Sequence, residues 1–399
     1  MKNYVILKTY CEKIFLVGSG NFWYEENEIG NDNSWYYKIF RGTLFSLYGF
    51  MTILEIMAVI FGNFPEDEKR DCVTFAVSHT IVMIKIFSVV SNKELIRTMN
   101  RNMVNICEPY EEPKLMADKY RIVKLNVMAY FCVVYGSAVC FVLEGLRKLF
   151  DGSHFVTVVT YYPTFEDNSI CATGFRILTT VMLMLMMMTM IVSVDSFTMA
   201  YLIMLKYKFI TLRHYLEGIT EDFHKMNNSG NSRLAAERLT NGLVEGIVMH
   251  KDLLRMAKDI DQAFGTVIAL QLCLSSGSAV SLLLQFALSD QLTFVAGMKI
   301  IFFVVALFFL LGLFLCNAGE ITYQASLLAD TIFYCGWHAC VPQPPPLRNL
   351  RRLVLLACAQ AQRPLIMKAF KMIQLSYSTF LQVLRGTYSV FALFYAQHK

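Results

Sequence analysis

Residues 295–319 read VAGMKIIFFVVALFFLLGLFLCNAG, an apolar run long enough to cross a bilayer, which takes about 20 helical residues. Five comparable runs precede it: Tyr37–Phe61, Cys72–Val90, Leu125–Leu149, Arg176–Leu205 and Ala263–Leu288. One more, Leu375–Tyr395, follows. Composition agrees, since 55% of the 399 residues are hydrophobic and 17% charged, and the mean hydropathy is +0.45. Those values lie outside the range of a soluble domain. The expected fold is an all-α membrane protein with seven transmembrane helices. A net charge of +5, with the bases placed between apolar runs, excludes a nucleic-acid partner.

An odd number of spans puts the termini on opposite sides, and Lys and Arg in the short connections decide which is which. After the second run come Lys93, Arg97, Arg101, Lys114, Lys119, Arg121 and Lys124; after the fourth, Lys206, Lys208, Arg213, Lys225, Arg233, Arg238, Lys251, Arg255 and Lys258; after the sixth, Arg348, Arg351, Arg352, Arg363, Lys368 and Lys371. The turn Ser289–Phe294 has no base. The N terminus is therefore expected in the cytoplasm and the C terminus outside the cell. This divides the chain into a cytoplasmic N-terminal segment (1–36), a six-helix bundle (37–320) with a long cytoplasmic loop (206–262), a cytoplasmic segment (321–374), and a last helix with a short extracellular end (375–399). A G-protein-coupled receptor is the competing seven-helix class, but it needs the opposite sidedness. No Asp-Arg-Tyr follows the third run, no Asn-Pro-x-x-Tyr ends the seventh, and only Ala396–Lys399 lie beyond it.

Within Tyr207–Asp261, Leu234, Leu239, Leu243, Ile247, Leu253, Leu254 and Met256 recur at helical spacing, so the fourth and fifth helices are expected to continue far into the cytoplasm. The tip is expected at Asn227-Asn228-Ser229-Gly230-Asn231. The sequon there, Asn227-Asn228-Ser229, should stay unmodified inside the cell. No signal peptide is evident before Tyr36. None of the eleven cysteines forms a CxxC pair; Cys132, Cys140, Cys273 and Cys316 sit in apolar runs as small hydrophobes, while a Cys72–Cys171 bridge near the outer ends is left open. There is no P-loop, His-Glu-x-x-His, nucleophile elbow or cluster with metal-ligand spacing, so neither catalysis nor a cofactor is expected.

From Glu320 onward a series of separate motifs appears in order: Glu320; Ser326, Leu327 and Ala329; Trp337; Arg351-Arg352-Leu353; Gln362-Arg363-Pro364-Leu365; Leu375-Ser376; Phe380; and Thr387-Tyr388-Ser389 with Phe391. This series resembles the C-terminal signature of insect odorant receptors. A glycine common in that family shortly after the Pro-Leu pair is absent from Met367-Lys368-Ala369-Phe370. The resemblance implies an odorant-gated cation-channel subunit at the plasma membrane of a sensory neuron, assembled as a tetramer with a shared odorant co-receptor. It further implies that the last helix lines a central pore and that the inner helix ends form an anchor between subunits. A gustatory-type receptor of the same fold is the nearest alternative.

Candidate residues follow from this topology. The family places its volatile ligand in the outer half of the bundle, which selects Phe75, His79, Ser137, Cys140, Glu144, Thr180, Met184, Phe302, Phe303 and Ala306. Ser137, Cys140 and Glu144 share one helical face, and His79 or Glu144 could hydrogen-bond a ligand oxygen, although either could equally satisfy another buried group. In the last helix, Arg385 and Thr387 are pore candidates, and Phe391 and Tyr395, one turn apart, are candidates for an apolar gate. Ordinary helix packing is the alternative. Leu327, Leu328, Ile332, Phe333 and Trp337 give Tyr323–Trp337 an apolar face suited to subunit contact or to packing within the chain, ended by Pro342 and Pro344–Pro346. Glu55, Lys85 and Asp195 are expected to pair internally or to lie near an interface. The methionines from Met182 to Met190 read as filling or as an adaptable lining.

Overall fold

The computed structural model describes residues 3–62, 66–150, 169–288, 293–339 and 350–397. Its elements are α1 (Asn3–Leu16), α2 (Glu26–Ile29), α3 (Trp35–Phe61), α4 (Glu66–Ser91), α5 (Lys93–Asn105), α6 (Pro113–Phe150), α7 (Ile170–Asn228), α8 (Ser232–Leu288), α9 (Phe294–Phe333), α10 (Leu350–Ala361), the short antiparallel strands β1 (Lys368–Ala369) and β2 (Ile373–Gln374), and α11 (Tyr377–Gln397). Each expected span falls on one helix, in order α3, α4, α6, α7, α8, α9 and α11. Six of these are long and apolar enough to cross a membrane. The seventh, α11, is more polar, carrying Gln382, Arg385, Thr387 and Ser389, and among its residues only Thr387 is buried.

The core forms around α7. From Phe197 to Leu205 every side chain is buried, which is the pattern of a helix surrounded by others. Here α7 packs on α6, α8 and α9, and α4 packs on α8. The methionine run fills this core: Met184, Met187, Met188 and Met190 are buried, whereas Met182 is exposed.

Both α7 and α8 continue far past the bilayer as single helices of 59 and 57 residues. They meet at the expected tip, where Gly230 takes a φ of +85°. Most of the apolar-faced stretch Tyr323–Trp337, expected in the segment after the sixth span, is the far end of α9, one unbroken helix of 40 residues. Nothing in 295–333 interrupts it, because the first helix breakers after Gly319 are Gly336 and the prolines. The proline cluster 342–346 and the turn residues 289–292 lie outside the described residues.

The N-terminal stretch, mixed and featureless as sequence, is ordered by polar contacts. Phe22 and Trp23 are fully buried, and the Asn21 carboxamide donates to the Gly30 carbonyl at 2.8 Å. At the start of α1, Asn3 Nδ2 donates to both Glu111 carboxylate oxygens at 2.7 and 2.8 Å. Lys208 of α7 and Lys119 of α6 reach the same carboxylate at 3.0 and 3.2 Å. Burial alone would raise the Glu111 pKa, but the two ammonium groups and Asn3 hold it below the usual carboxylate range. A depressed carboxylate stabilises the fold fully above its unfolded pKa, about 4.3, and that contribution is lost as pH falls through the folded value. Glu111→Gln should therefore flatten the acid-side loss of thermal stability below about pH 4.3 relative to the parent chain. Acid-side melting profiles of parent and variant that run parallel down to about pH 3.5 would count against this clasp.

β1 and β2 supply the link to α11. Their turn places Phe370 and Lys371 at φ of +49° and +61°, a left-handed conformation that glycine takes more readily. This is the neighbourhood in which the family glycine is missing. β1 lies on α8 at Gly265, where a Cβ would come within 3.2 Å of the Lys368 carbonyl oxygen. The chain then enters α11, whose Phe380 packs on Gly312 and whose Tyr377 packs on Gly319, with an added Cβ at Gly319 reaching only 3.0 Å from the ring. The Tyr377 hydroxyl donates to the Glu320 carboxylate. Gly319→Val should push the base of α11 off α9 and destabilise the chain by about 1–3 kcal/mol, the usual cost of overpacking, read as an earlier thermal transition of the purified protein.

Candidate functional site

A cavity of about 50 Å³ lies inside the bundle where α4, α6, α7, α8 and α9 converge. Its wall is apolar: Val134, Met187, Met188, Ile191, Leu274, Phe303, Ala306, Leu307 and Leu310. Toward the basic end of the bundle, the floor is polar and buried. Lys85 Nζ lies 3.1 Å from Asp195 Oδ1 and donates to Gln271 Oε1 at 2.6 Å. The Tyr130 hydroxyl donates to Asp195 Oδ2 at 3.0 Å. Gln271 Nε2 in turn donates to Ser275 Oγ at 3.0 Å, and Ser275 Oγ to the Leu307 carbonyl at 3.0 Å. One network thus ties five helices together under the cavity. Lys85 and Asp195 are at most 1% exposed, and each would be costly there without the other.

The roof, toward the other end, is aromatic. Phe75 and Phe141 meet edge to face at 4.9 Å, Phe141 and Phe303 do the same at 5.4 Å, and Phe75 and Phe303 stack at 6.1 Å. Above them the Lys299 ammonium sits 5.1 Å from the Phe141 ring centroid. It pairs with Asp71 at 2.6 Å, and Gln285 Nε2 donates to the same carboxylate at 3.3 Å. The cavity therefore lies between two charged layers. Two serines face it. Ser78 donates to the Thr74 carbonyl at 2.7 Å, whereas buried Ser137 has no hydrogen-bond partner among the described residues. A hydroxyl of this kind can orient a small apolar molecule carrying one polar atom. The volume holds only a few water-sized groups, so a larger guest requires Met187 and Met188 to shift, which flexible thioethers permit.

Of the expected ligand residues, Ser137, Phe303 and Ala306 line this cavity and Phe75 forms its roof. His79 faces elsewhere: its Nδ1 pairs with Glu55 of α3, leaving His79 Nε2 and Glu55 Oε1 buried without a partner among the described residues. Glu144 is held by Arg147 at 2.9 Å. Cys140 is half-buried, Thr180 and Met184 are buried outside the lining, and Phe302 is exposed on the outer surface of α9. Sequence reasoning misses Tyr130 and Gln271, and it singles out Lys85 and Asp195 without joining them. A signal for that pair exists, since two opposite charges inside separate spans call for each other.

On α11, Arg385 is exposed and Thr387 buried, its hydroxyl without a partner among the described residues. The half-buried rings of Phe391 and Tyr395 stack at 5.9 Å. At the other end of the molecule, Ile332 is buried within the chain, Leu327 half-buried and Phe333 exposed, and the Trp337 indole donates to the Phe333 carbonyl at 2.9 Å. Cys72 is buried and Cys171 exposed.

The multi-pass helical bundle is the architecture of a membrane protein, and two solved structures share the fold over at least 98% of the chain. The olfactory receptor OR5 of Machilis hrabei in complex with eugenol superimposes with a TM-score of 0.76 at 14% identity, covering 100% of both chains. The same receptor alone gives 0.76 at 12% identity, over 98% of this chain and 99% of that one. The 7tm Odorant receptor family matches residues 70–388; the chain belongs to the insect odorant receptor family. Odorant receptor 2a of Drosophila melanogaster is 36% identical over 80 residues, 20% of this chain and 19% of that receptor, so this likeness spans about a fifth of the relative's length.

Proposed function

We propose that this chain is the odorant-binding subunit of a ligand-gated, non-selective cation channel, assembled with the odorant co-receptor, as a tetramer, in the plasma membrane of a sensory neuron. The observation that carries the reading is the internal cavity, apolar in its walls and offering the Ser137 hydroxyl, in a member of a receptor family. Its ligand is a small volatile lipophile with a hydrogen-bonding oxygen, seated between the Phe75, Phe141, Phe303 roof and the Lys85, Asp195, Tyr130 floor. The solved relative in complex with eugenol, a small phenol, supports the ligand class.

Gating in this scheme is a shift of population. The odorant binds the open arrangement more tightly than the closed one, and channel opening follows from that difference in affinity alone. The exposed surface of α11 suits contact with other subunits, with exposed Arg385 toward a central path and Phe391 and Tyr395 as a dewetting constriction near the outer mouth, whereas Thr387, buried on the opposite side of the helix, packs within the chain. Phe333, Leu327 and Trp337 form part of an anchor at the cytoplasmic end. Domain roles follow accordingly: 37–320 binds, 321–374 anchors, 375–399 conducts.

The test is electrophysiological. Cells expressing the chain with and without a co-receptor are exposed to an odorant panel while currents are recorded. Odorant-evoked cation current in the co-expressing cells is the expected result. Silence across a broad panel, with surface expression verified, would overturn the reading, as would an epitope tag at Asn228 that is accessible on intact cells.

A further inference from the structure

At the basic end of the bundle, away from the odorant cavity, α3 and α4 diverge to leave a groove of about 440 Å³ lined by Lys38, Arg41, Phe45, Met83, Ile86 and Phe87. Its two ends differ in chemistry. Lys38 and Arg41, one turn apart near the start of α3, stand at the mouth, and the apolar side chains continue along the helices toward the membrane centre. Phe87 is 74% exposed, and the Arg41 guanidinium lies 5.9 Å from the Phe45 ring centroid.

Charge distribution separates these two bases from their neighbours. Lys93 pairs with Asp32, and Arg97 approaches the same carboxylate at 4.0 Å. Neither Lys38 nor Arg41 joins an ion pair among the described residues. Trp35 and Tyr36, shortly before them, are 72% and 83% exposed. Exposed aromatic residues next to bases at the end of an apolar helix are typical of the headgroup level of a bilayer. The bases at this end also assign it to the cytoplasmic side, the leaflet that holds the anionic lipids. Finally, α3 packs on α4 and α7, whereas α11 packs on α8 and α9. The groove therefore lies away from the helix expected at the pore, on the side of the subunit that faces lipid.

We propose that the α3–α4 groove is a binding site for an anionic phospholipid of the cytoplasmic leaflet, whose phosphate and headgroup acid are held by Lys38 and Arg41 and whose acyl chain lies over Phe45, Met83, Ile86 and Phe87. The site is independent of the odorant reading, since it needs only the bundle and its orientation in the membrane. A zwitterionic lipid would fill the apolar trough equally but would leave two cations without a net counter-charge. Each base near the surface contributes about fivefold in affinity for an anionic lipid, so losing both should weaken it by about 25-fold.

The experiment uses the full-length chain, purified in mild detergent, with its thermal transition followed during titration with dioctanoyl phosphatidylserine, dioctanoyl phosphatidylcholine or inorganic phosphate. Phosphatidylserine is expected to stabilise at lower concentration than either alternative. Lys38→Gln with Arg41→Gln should remove this preference, and Lys38→Arg with Arg41→Lys should keep it. A photoactivatable phosphatidylserine should crosslink the unsubstituted chain in α3 and α4, a readout that stands even if the glutamine variant fails to fold. Equal effects of the two lipids, an equal effect of phosphate alone, or crosslinks confined to other helices would each overturn the proposal.

Discussion

Replacing Asp195 with alanine is expected to destabilise the full-length chain by about 3–5 kcal/mol, the usual result of removing one half of a buried ion pair. The cause is what remains behind. Lys85 would lose its counter-charge in a site that is 1% exposed, with Gln271 as its remaining partner among the described residues, and the Tyr130 hydroxyl would lose its acceptor. The pair as a whole is a different matter: Lys85→Met with Asp195→Leu removes both charges and should recover most of the loss, since buried ion pairs add little net stability over well-packed apolar residues. Thermal transitions monitored by size-exclusion chromatography of the three proteins decide the matter. A single D195A variant that melts within a degree or two of the parent would show that the floor is not held together this way.

Ala306→Trp should weaken the response to odorants while leaving the protein at the cell surface. Ala306 is 7% exposed and its methyl group looks into a cavity of about 50 Å³, much less than an indole requires. The new ring would occupy the space of the guest and press on Met187 and Met188, at an overpacking cost of about 1–3 kcal/mol. For a ligand competing with that ring, the half-maximal concentration should rise by about 5- to 150-fold, the equivalent of the same free energy. The comparison is Phe302→Trp, one turn away but on the exposed face of α9, where the dose response should not move. Equal sensitivity in all three proteins would place the ligand elsewhere.

Much of this architecture is legible in the sequence because a bilayer imposes a length and a polarity that soluble folds do not. The runs at Val295–Gly319 and its counterparts each fall on one helix, although α6, α7, α8 and α9 extend well beyond their runs at one end. Apolar residues at helical spacing from Leu234 to Met256 likewise foretell the long extension of α8. Polar organisation is harder to read. Asn3, Lys208 and the stretch that holds Glu111 and Lys119 are far apart in the chain and meet only in three dimensions, so the N-terminal segment looks featureless until its partners are in view. The cavity shows the same division. Helical spacing places Ser137, Phe303 and Ala306 at the right depth, but depth alone does not tell which side of a helix faces inward. Phe302 and Phe303 are equivalent by that criterion, although the two point about 100° apart on the helix. His79 illustrates the competing pull: Glu55 on the adjacent helix engages its Nδ1, and the ring lies outside the cavity lining.

The continuity of α7 has a mechanical meaning. Met188 stands beside the cavity, and Asn228 ends the same unbroken helix, 59 residues long in all. At 1.5 Å per residue the stretch between them is a rod of roughly 60 Å. Tilting such a rod by about 2° at the cavity swings its far end by roughly 2 Å, enough to change how neighbouring side chains interlock. In the proposed receptor, a guest that merely nudges two methionines apart is thereby felt at the far end of the helix, which serves as a lever arm.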